Sequence, residues 1–284
     1  MLLSSLRSRV RPLLRAGSTA ATGSVIYEGK RAVDEYLQMH YGAASQVFPY
    51  AAGAADGLNF PKRCADEVVA ACNGSLDPLR SSALDVGCAV GGSSIELARY
   101  FSRVDGIDYS QAFVAAAQSM QRERQMTYTA LIEGTRTTSH VARLPDDLPP
   151  EAIAKVNFGQ GDACALEELR DTGMLKPDGY DAVLASNLLC RLPRPRVFLT
   201  SCAEWVVKPQ GFLVLLTPFS WLEQWTAQDE WIGGGEAVSS DRLQVQMLDA
   251  GFELTARKDV PFLIREHARK FQYGVSECTV WKRT

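Results

Sequence analysis

The chain has 284 residues, of which 46% are hydrophobic and 22% are charged, the composition of an ordinary globular protein. The net charge is −3, and the first 27 residues carry four arginines and no acid, which leaves −7 on the remainder and argues against a nucleic-acid partner. No apolar run approaches the roughly 18 residues that cross a bilayer, so we expect no membrane partner.

Residues 1–25 are predicted to lie outside the fold. They are rich in arginine and serine with leucines at near-helical spacing, which is typical of an organellar transit peptide, although a disordered basic tail has the same composition. A transit peptide would direct the protein to a mitochondrion or plastid, and without one we expect the cytoplasm. Seven scattered cysteines without a CxxC pair predict reduced thiols, and three distant histidines predict no metal site.

Residues 26–284 are predicted to form one domain that begins with a helical cap at 26–74. A helix is expected over 27–41, with Val33, Tyr36, Leu37 and His40 on one face, and Gly42 ends it. A loop is expected over 43–59, and Pro61 then opens a second helix that runs to about Cys72.

From residue 82 onward, predicted strands and helices alternate, which implies a parallel sheet with helices on both faces. The expected elements are strand 82–87, helix 92–101, strand 103–108, helix 110–124, an insertion at 125–154, strand 156–162, a helix after Cys164, strand 180–186, helix 195–207 and strand 211–217. A tryptophan-rich segment, a helix at 240–250 and an antiparallel hairpin of 252–260 with 271–281, linked by 261–267, complete the chain. The expected fold is α/β and Rossmann-like, with a seven-stranded, mostly parallel sheet whose last strand is antiparallel.

A glycine-rich turn follows the first strand of this sheet, and acids follow the next two. Gly87 and Gly91 would let a ligand approach the backbone, Asp108 would accept from two ribose hydroxyls, and Asp162 with Ala163 would bind an adenine ring. An acid after one strand is usually only a turn residue, but these features fall at consecutive strand ends. The GxGxxG order of a dinucleotide site is absent, so the pattern favours S-adenosylmethionine (SAM). The predicted cofactor-binding residues are Asp85, Gly87, Cys88, Ala89, Gly91, Asp108, Tyr109, Asp162, Ala163 and Asn187.

The motifs at 84–91, 106–110, 160–164 and 180–187 resemble those of Rossmann-fold SAM-dependent methyltransferases. Further stretches at 35–42, 59–61, 218–223, 231–234, 260–266, 269–272 and 279–281 are similar to the C-terminal methyltransferase domain of the ovothiol biosynthesis enzyme, the 4-mercaptohistidine N1-methyltransferase family. The resemblance covers 27–284 and implies methyl transfer from SAM to an imidazole nitrogen of 5-thiohistidine, with S-adenosylhomocysteine (SAH) as the second product. Ala89 stands where many methyltransferases have glycine, and Cys190 stands where a polar residue is expected.

The larger ovothiol enzyme also carries an iron-dependent sulfoxide synthase module, for which this chain has neither the length nor the histidines. We therefore expect a separate sulfoxide synthase to supply the thiohistidine. The residues do not predict an oligomeric state.

Transfer to a neutral imidazole nitrogen requires mainly alignment and exclusion of water, so no strong base is demanded. The residues predicted to take part in catalysis are Tyr36, His40 and Asn187, and those predicted to bind the substrate are Tyr41, Trp221, Trp231, Arg265 and Glu266. Arg265 would bind the substrate carboxylate and Glu266 its ammonium group. Structural roles are the alternatives: a packed histidine, core tryptophans and an exposed ion pair.

Two other functions fit the same residues. One is methylation of a histidine in a peptide, or of another small amine or thiol. The other is a non-catalytic SAM-binding protein that acts as an assembly factor in an organelle. The residue chemistry alone does not select thiohistidine over histidine.

Overall fold

The computed structural model describes residues 22–51, 53–77 and 80–284. Most of the predicted leader therefore lies outside the described residues. The described chain starts with a 3₁₀ helix, Thr22–Glu28, that packs against the domain. In this part of the protein no helix is long and apolar enough to cross a membrane, and no group of His, Cys, Asp and Glu side chains could hold a metal ion.

Nine strands and nine α-helices occur in the described chain. The strands are β1 Ser82–Val86, β2 Arg103–Asp108, β3 Gln125–Glu133, β4 Arg136–Arg143, β5 Val156–Gln160, β6 Tyr180–Ser186, β7 Val207–Thr217, β8 Phe252–His267 and β9 Lys270–Arg283. The helices are α1 Lys30–Tyr41, α2 Ala44–Val47, α3 Phe60–Cys72, α4 Gly92–Leu97, α5 Gln111–Glu123, α6 Pro150–Ile153, α7 Leu166–Asp171, α8 Pro195–Ser201 and α9 Ser239–Asp249. A π-helical turn, Cys202–Val206, extends α8.

Seven strands form one sheet in the order β5-β2-β1-β6-β7-β9-β8, and β9 alone runs antiparallel to its two neighbours. The predicted α/β fold is confirmed. The chain moves outward from β1 through β2 to β5 and then returns to pair β6 with the other side of β1. This reversal of strand order opens a crevice at the carboxyl ends of β1 and β6, where open α/β sheets bind ligands.

Helices cover both faces of the sheet, as its buried strands require. All five residues of β1 are buried, and Leu84 and Ala83 belong to different core clusters because successive side chains point to opposite faces. Helices α3 and α4 pack on the face of Ala83, whereas α7, α8 and α9 pack on the face of Leu84.

The N-terminal cap lies over one end of the sheet. Val33 and Leu37 of α1 are buried one turn apart, as the predicted apolar face requires, and they pack with α5 and with the β3–β4 hairpin. Gly42 follows α1 because a Cβ there would stand 2.4 Å from the Gln38 carbonyl oxygen. The hydroxyl of Ser110 accepts from the Phe113 amide at 3.1 Å and thereby caps α5.

Several predicted boundaries differ from the structure. The segment at 43–59 contains α2 and a 3₁₀ turn, and the insertion at 125–154 contains the β3–β4 hairpin and α6. The largest difference is at 261–267, predicted as a link between two strands, which continues β8 instead. Pro261 did not end this strand because β8 is an edge strand, where a missing amide hydrogen is tolerated. Strand β7 begins at Val207, whereas the predicted strand began at 211. Gln210 lies in this additional part with φ 64°, and the pairing of β7 with β6 shifts register between Tyr180 and Ala182.

Candidate functional site

A cavity opens at the carboxyl ends of β1, β2, β5 and β6. The residues contributed by the strand ends and the turns after them are Asp85, Val86, Gly87, Cys88, Ala89, Ile107, Asp108, Tyr109, Ser110, Gly161, Asp162, Ala163, Ser186, Asn187, Leu188 and Arg191. The cap, the helices and the later loops add Ser24, Tyr27, Tyr36, Met39, His40, Phe60, Pro61, Ser93, Phe113, Leu192, Pro193, Trp225 and Ile264. Most of the predicted cofactor residues therefore meet around one space.

The turn after β1 brings bare backbone to this cavity. Gly87 has φ +78° and Ala89 has φ 47°, so the chain reverses in the left-handed region that glycine favours. A Cβ on Gly87 would lie 3.0 Å from a methyl carbon of Leu188. The turn is held in place because the amides of Gly87 and Cys88 both donate to the Ile107 carbonyl oxygen, at 2.8 and 3.0 Å.

Asp108 ends β2 and faces the cavity. One carboxylate oxygen accepts from the Ala89 amide and the other from the Ser110 amide, each at 2.9 Å. Burial raises the pKa of this carboxyl to about 6, although the two amides favour the charged form. Each oxygen keeps a lone pair for a further donor, which is the arrangement that two vicinal hydroxyls require.

Asp85 lies behind the turn and also reaches the cavity. Burial raises its pKa to about 7, while the Ser94 hydroxyl, which donates at 2.6 Å, favours the charged form. A nearby cation would favour the ionised form of such a carboxyl. The first strand thus places an acidic group beside the glycine turn.

The carboxyl ends of β5 and β6 contribute the remaining polar residues of the cavity. Asp162 accepts from the Cys164 amide through Oδ1, at 2.8 Å, and Ala163 lies buried beside it. Asn187 adopts φ 53°, and its position is fixed because its amide donates to Leu216 and its Oδ1 accepts from Ser276 at 2.6 Å. Tyr109 lies at the rim, where 42% of the residue is exposed.

Aromatic rings form the wall opposite these polar groups. Tyr27 packs against Trp225 with ring centres 5.2 Å apart and against Phe113 at 5.5 Å. Tyr36 packs against Phe113 at 4.7 Å. Burial raises the pKa of Tyr36 well above its ordinary value, so the phenol stays protonated. Tyr27 is held by Ser110, whose hydroxyl donates to the Tyr27 carbonyl oxygen at 3.1 Å.

His40 joins the cap to the glycine turn. Its Nδ1 accepts from the Gly92 amide at 3.0 Å, and burial lowers the pKa of the ring to about 3. The neutral ring must therefore carry its proton on Nε2, because Nδ1 is occupied as an acceptor. His40 can donate a hydrogen bond from Nε2, but it is not placed to take up a proton.

Two residues predicted from the glycine and helix patterns do not line the cavity. Gly91 is required by packing: a Cβ there would stand 2.6 Å from the Phe158 ring. The Tyr41 hydroxyl donates to the Val90 carbonyl oxygen at 2.8 Å, which directs this side chain away from the cavity.

The predicted substrate-binding residues of the later segments also lie elsewhere. Trp221 and Trp231 stack on each other at 6.4 Å, and their ring N–H groups donate to Ser239 and to the Thr226 carbonyl oxygen. Arg265 is 8% exposed and donates to the Gln46 carbonyl oxygen. Glu266 pairs with Lys270 at 2.6 Å.

Strand alternation explains the position of Arg265. Ile264, one residue earlier on β8, lines the cavity, so the Arg265 side chain leaves the opposite face of the strand. Had 261–267 been assigned to a strand, this alternation would have shown that the two residues could not share the site.

Among the cavity residues that were not predicted as site residues, three matter most for its chemistry: Tyr27, Arg191 and Trp225. Trp225 belongs to the segment that was described only as tryptophan-rich, and Tyr27 is the first residue of the helix predicted over 27–41. Arg191 lies at the end of the 3₁₀ turn Leu189–Arg191, four residues after Asn187. Its position shortly after β6 was the available signal, because the carboxyl end of that strand was already expected to reach the site.

The fold and the cavity define a class: an α/β protein with a cavity at the switch point of its sheet, where open α/β sheets bind ligands. A family model described as "Methyltransferase domain" matches residues 59–257, which is more than half of the chain. The protein belongs to this methyltransferase domain family. No curated protein matches the sequence.

Two solved structures illustrate the shared fold. The [4+2]-cyclase SpnF is 18% identical with a TM-score of 0.55, and the match covers 93% of this chain and 97% of that one. Magnesium protoporphyrin IX methyltransferase (ChlM) from Synechocystis PCC 6803, solved with bound SAH, is 16% identical with a TM-score of 0.55, covering 92% and 100%. One of the two is named as a cyclase, so the function of this chain has to be argued from its site.

Proposed function

We propose that the protein is a SAM-dependent N-methyltransferase that methylates the imidazole ring of 5-thiohistidine. The use of SAM is supported by the polar groups that four strand ends place around one cavity: Asp85, Asp108, Asp162 and Asn187. Membership in the methyltransferase domain family supports the same reaction class.

The residues fit the parts of SAM in the order in which they line the cavity. Asp108 would accept from the ribose hydroxyls, and Asp162 would accept from the adenine amino group. The Gly87 turn offers backbone to the methionine part, where Asp85 would balance positive charge. SAM supplies an electrophilic methyl group on a sulfonium.

The protein's own contribution is enclosure and alignment. The aromatic wall of Tyr27, Tyr36 and Trp225 excludes water, and such rings also favour a neighbouring cation. A neutral imidazole nitrogen with pKa near 6.5 is already nucleophilic at neutral pH, so positioning provides most of the acceleration. The Nε2–H of His40 would orient the acceptor by donating to it, which agrees with a site that needs no general base.

The identity of the acceptor rests on the resemblance of several segments to the 4-mercaptohistidine N1-methyltransferase family. The cavity supports it through its aromatic wall, which suits a small aromatic ring. A separate sulfoxide synthase is the proposed source of the 5-thiohistidine.

The test is to incubate the purified protein with SAM and, in separate reactions, 5-thiohistidine, histidine and a histidine peptide, and to measure the added methyl mass. We expect product from 5-thiohistidine and none with the Asp108→Ala variant, in which SAM binding is lost. If only the histidine peptide gave product, the acceptor would be a peptide histidine and not 5-thiohistidine. SAM binding in calorimetry without product from any acceptor would favour the non-catalytic alternative.

A further inference from the structure

Arg191 provides the fixed positive charge among the described residues that line the cavity. The other charged lining groups are the three aspartates, and His40 is neutral. Within the described chain no carboxylate lies within 4.0 Å of the Arg191 guanidinium, although the protein as a whole is acidic. A cation in a ligand cavity without an acidic partner is therefore available for an anion from outside the chain.

The hydrogen bonds of Arg191 occupy one edge of its guanidinium. Nη1 donates to the carbonyl oxygens of Cys190 and Ser220, at 3.0 and 2.8 Å, and Nη2 donates to the Ser220 hydroxyl at 3.3 Å. The other edge, formed by Nε–H and the second hydrogen of Nη2, has no partner among the described residues. This pair of parallel donors matches the two oxygens of a carboxylate.

Arg191 lies beside the aromatic wall of the cavity. Its guanidinium carbon is 5.7 Å from the centre of the Trp225 ring, in the aromatic wall. Burial is the main cause of the raised pKa of Tyr36, and the positive charge of Arg191 acts to lower this pKa. The charge of Arg191 therefore reaches a side chain that lines the cavity. The contacts with Ser220 and Trp225 hold the guanidinium in place before a ligand arrives.

We propose that Arg191 forms a carboxylate subsite, so that the acceptor is an imidazole that bears an amino-acid carboxylate. This inference rests on the proposed function and assigns to Arg191 the role that the sequence had given to Arg265. An acceptor without a carboxylate would leave the free edge of the guanidinium without a partner.

The test compares two ligands that differ only in this group: 5-thiohistidine and its decarboxylated amine. Calorimetry with SAH-saturated protein gives the affinity for each, and the methyl-transfer assay gives kcat/KM. Arg191→Met should weaken 5-thiohistidine binding about 10- to 100-fold, as expected for charged hydrogen bonds, and change binding of the amine by less than about threefold. Arg191→Lys should be intermediate, because lysine keeps the charge but not the paired donors.

The control is Arg194→Met, which removes an exposed arginine three residues further on that does not line the cavity. It should change neither affinity. If Arg191→Met lowered the affinity for 5-thiohistidine and for the amine by the same factor, Arg191 would only support the fold. If it lowered the affinity for SAH by a similar factor, Arg191 would hold the carboxylate of the cofactor. Either result overturns the proposal.

The two proposals fail in different ways. If 5-thiohistidine binds through Arg191 but receives no methyl group, the proposed function fails and the carboxylate subsite stands. If SAH-loaded wild-type protein binds both ligands equally well, or binds neither, the subsite is refuted even when methyl transfer to another acceptor is observed.

Discussion

The Asp108→Asn substitution should remove most of the affinity for SAM and should lower stability by about 1–3 kcal/mol, because one of the two backbone amides loses its acceptor. The wild-type carboxylate is held by two backbone amides and keeps acceptor capacity toward the cavity. Asparagine has nearly the same shape, but it carries no charge and offers one acceptor oxygen instead of two. A hydrogen bond to a charged group contributes about 1.5–3 kcal/mol, so the loss should reach at least about 10- to 100-fold in Kd.

The affinity of the wild-type protein for SAM should also depend on pH. Burial raises the pKa of Asp108 to about 6, and binding requires its ionised form, so affinity should fall as pH falls through 6. With one group of pKa 6, about nine tenths of the protein is ionised at pH 7 and about one tenth at pH 5, which predicts a roughly tenfold weaker Kd at pH 5. With an ordinary pKa near 3.8 the affinity would hardly change over this range.

The assay is calorimetric titration of SAM at pH 5, 6 and 7, below the range in which an α-amino group titrates. Asp108→Asn should show a weak Kd that has lost the roughly tenfold change due to Asp108 and keeps only the change due to Asp85. Asp85 has a raised pKa of about 7, so Asp85→Asn is the matched control, and the decrease centred near pH 6 should persist in it. A wild-type Kd that stays constant between pH 7 and 5, or an Asp108→Asn Kd within threefold of wild type, would refute the reasoning.

Two substitutions probe the surroundings of the site. Gly92→Ala would place a Cβ 2.6 Å from Nδ1 of His40 and should destabilise the protein by about 1–3 kcal/mol in urea unfolding. Gly29→Ala is its control, because a Cβ there would lie 3.8 Å from the Ile26 carbonyl oxygen, and equal midpoints for the two variants would contradict the packing argument. Glu266→Gln removes an ion pair with Lys270 that lies away from the cavity. It should change stability by less than about 0.5 kcal/mol and the acceptor KM by less than about twofold, and a large rise in KM would restore Glu266 to the site.

The central part of the fold could be predicted from the sequence because its strands are short apolar runs between clear turns. Strands β2 and β6 have the predicted bounds, 103–108 and 180–186. Their order along the chain fixes which strand ends meet, since alternating strands and helices form a parallel sheet with right-handed connections. Asp85, Asp108, Asp162 and Asn187 were therefore brought together as expected.

The peripheral elements could not be predicted in the same way. Whether Pro261 ends a strand depends on whether that strand is at the edge of the sheet, and this is a property of the whole topology. The face on which Arg265 lies depends in turn on that strand continuing. Among the tryptophans after β7, only packing separates Trp225, which lines the cavity, from Trp221 and Trp231, which stack on each other.

The 3₁₀ helix Thr22–Glu28 and helix α1 lie outside the span of 59–257 that the chain shares with its family. They nevertheless contribute Tyr27, Tyr36 and His40 to the cavity. The strand ends lie within the shared span, whereas much of the opposite wall lies outside it. Changes in these N-terminal residues can therefore alter the wall of the cavity without touching the strand ends, and His40 is the most constrained of the three because its ring accepts a hydrogen bond from the Gly92 amide.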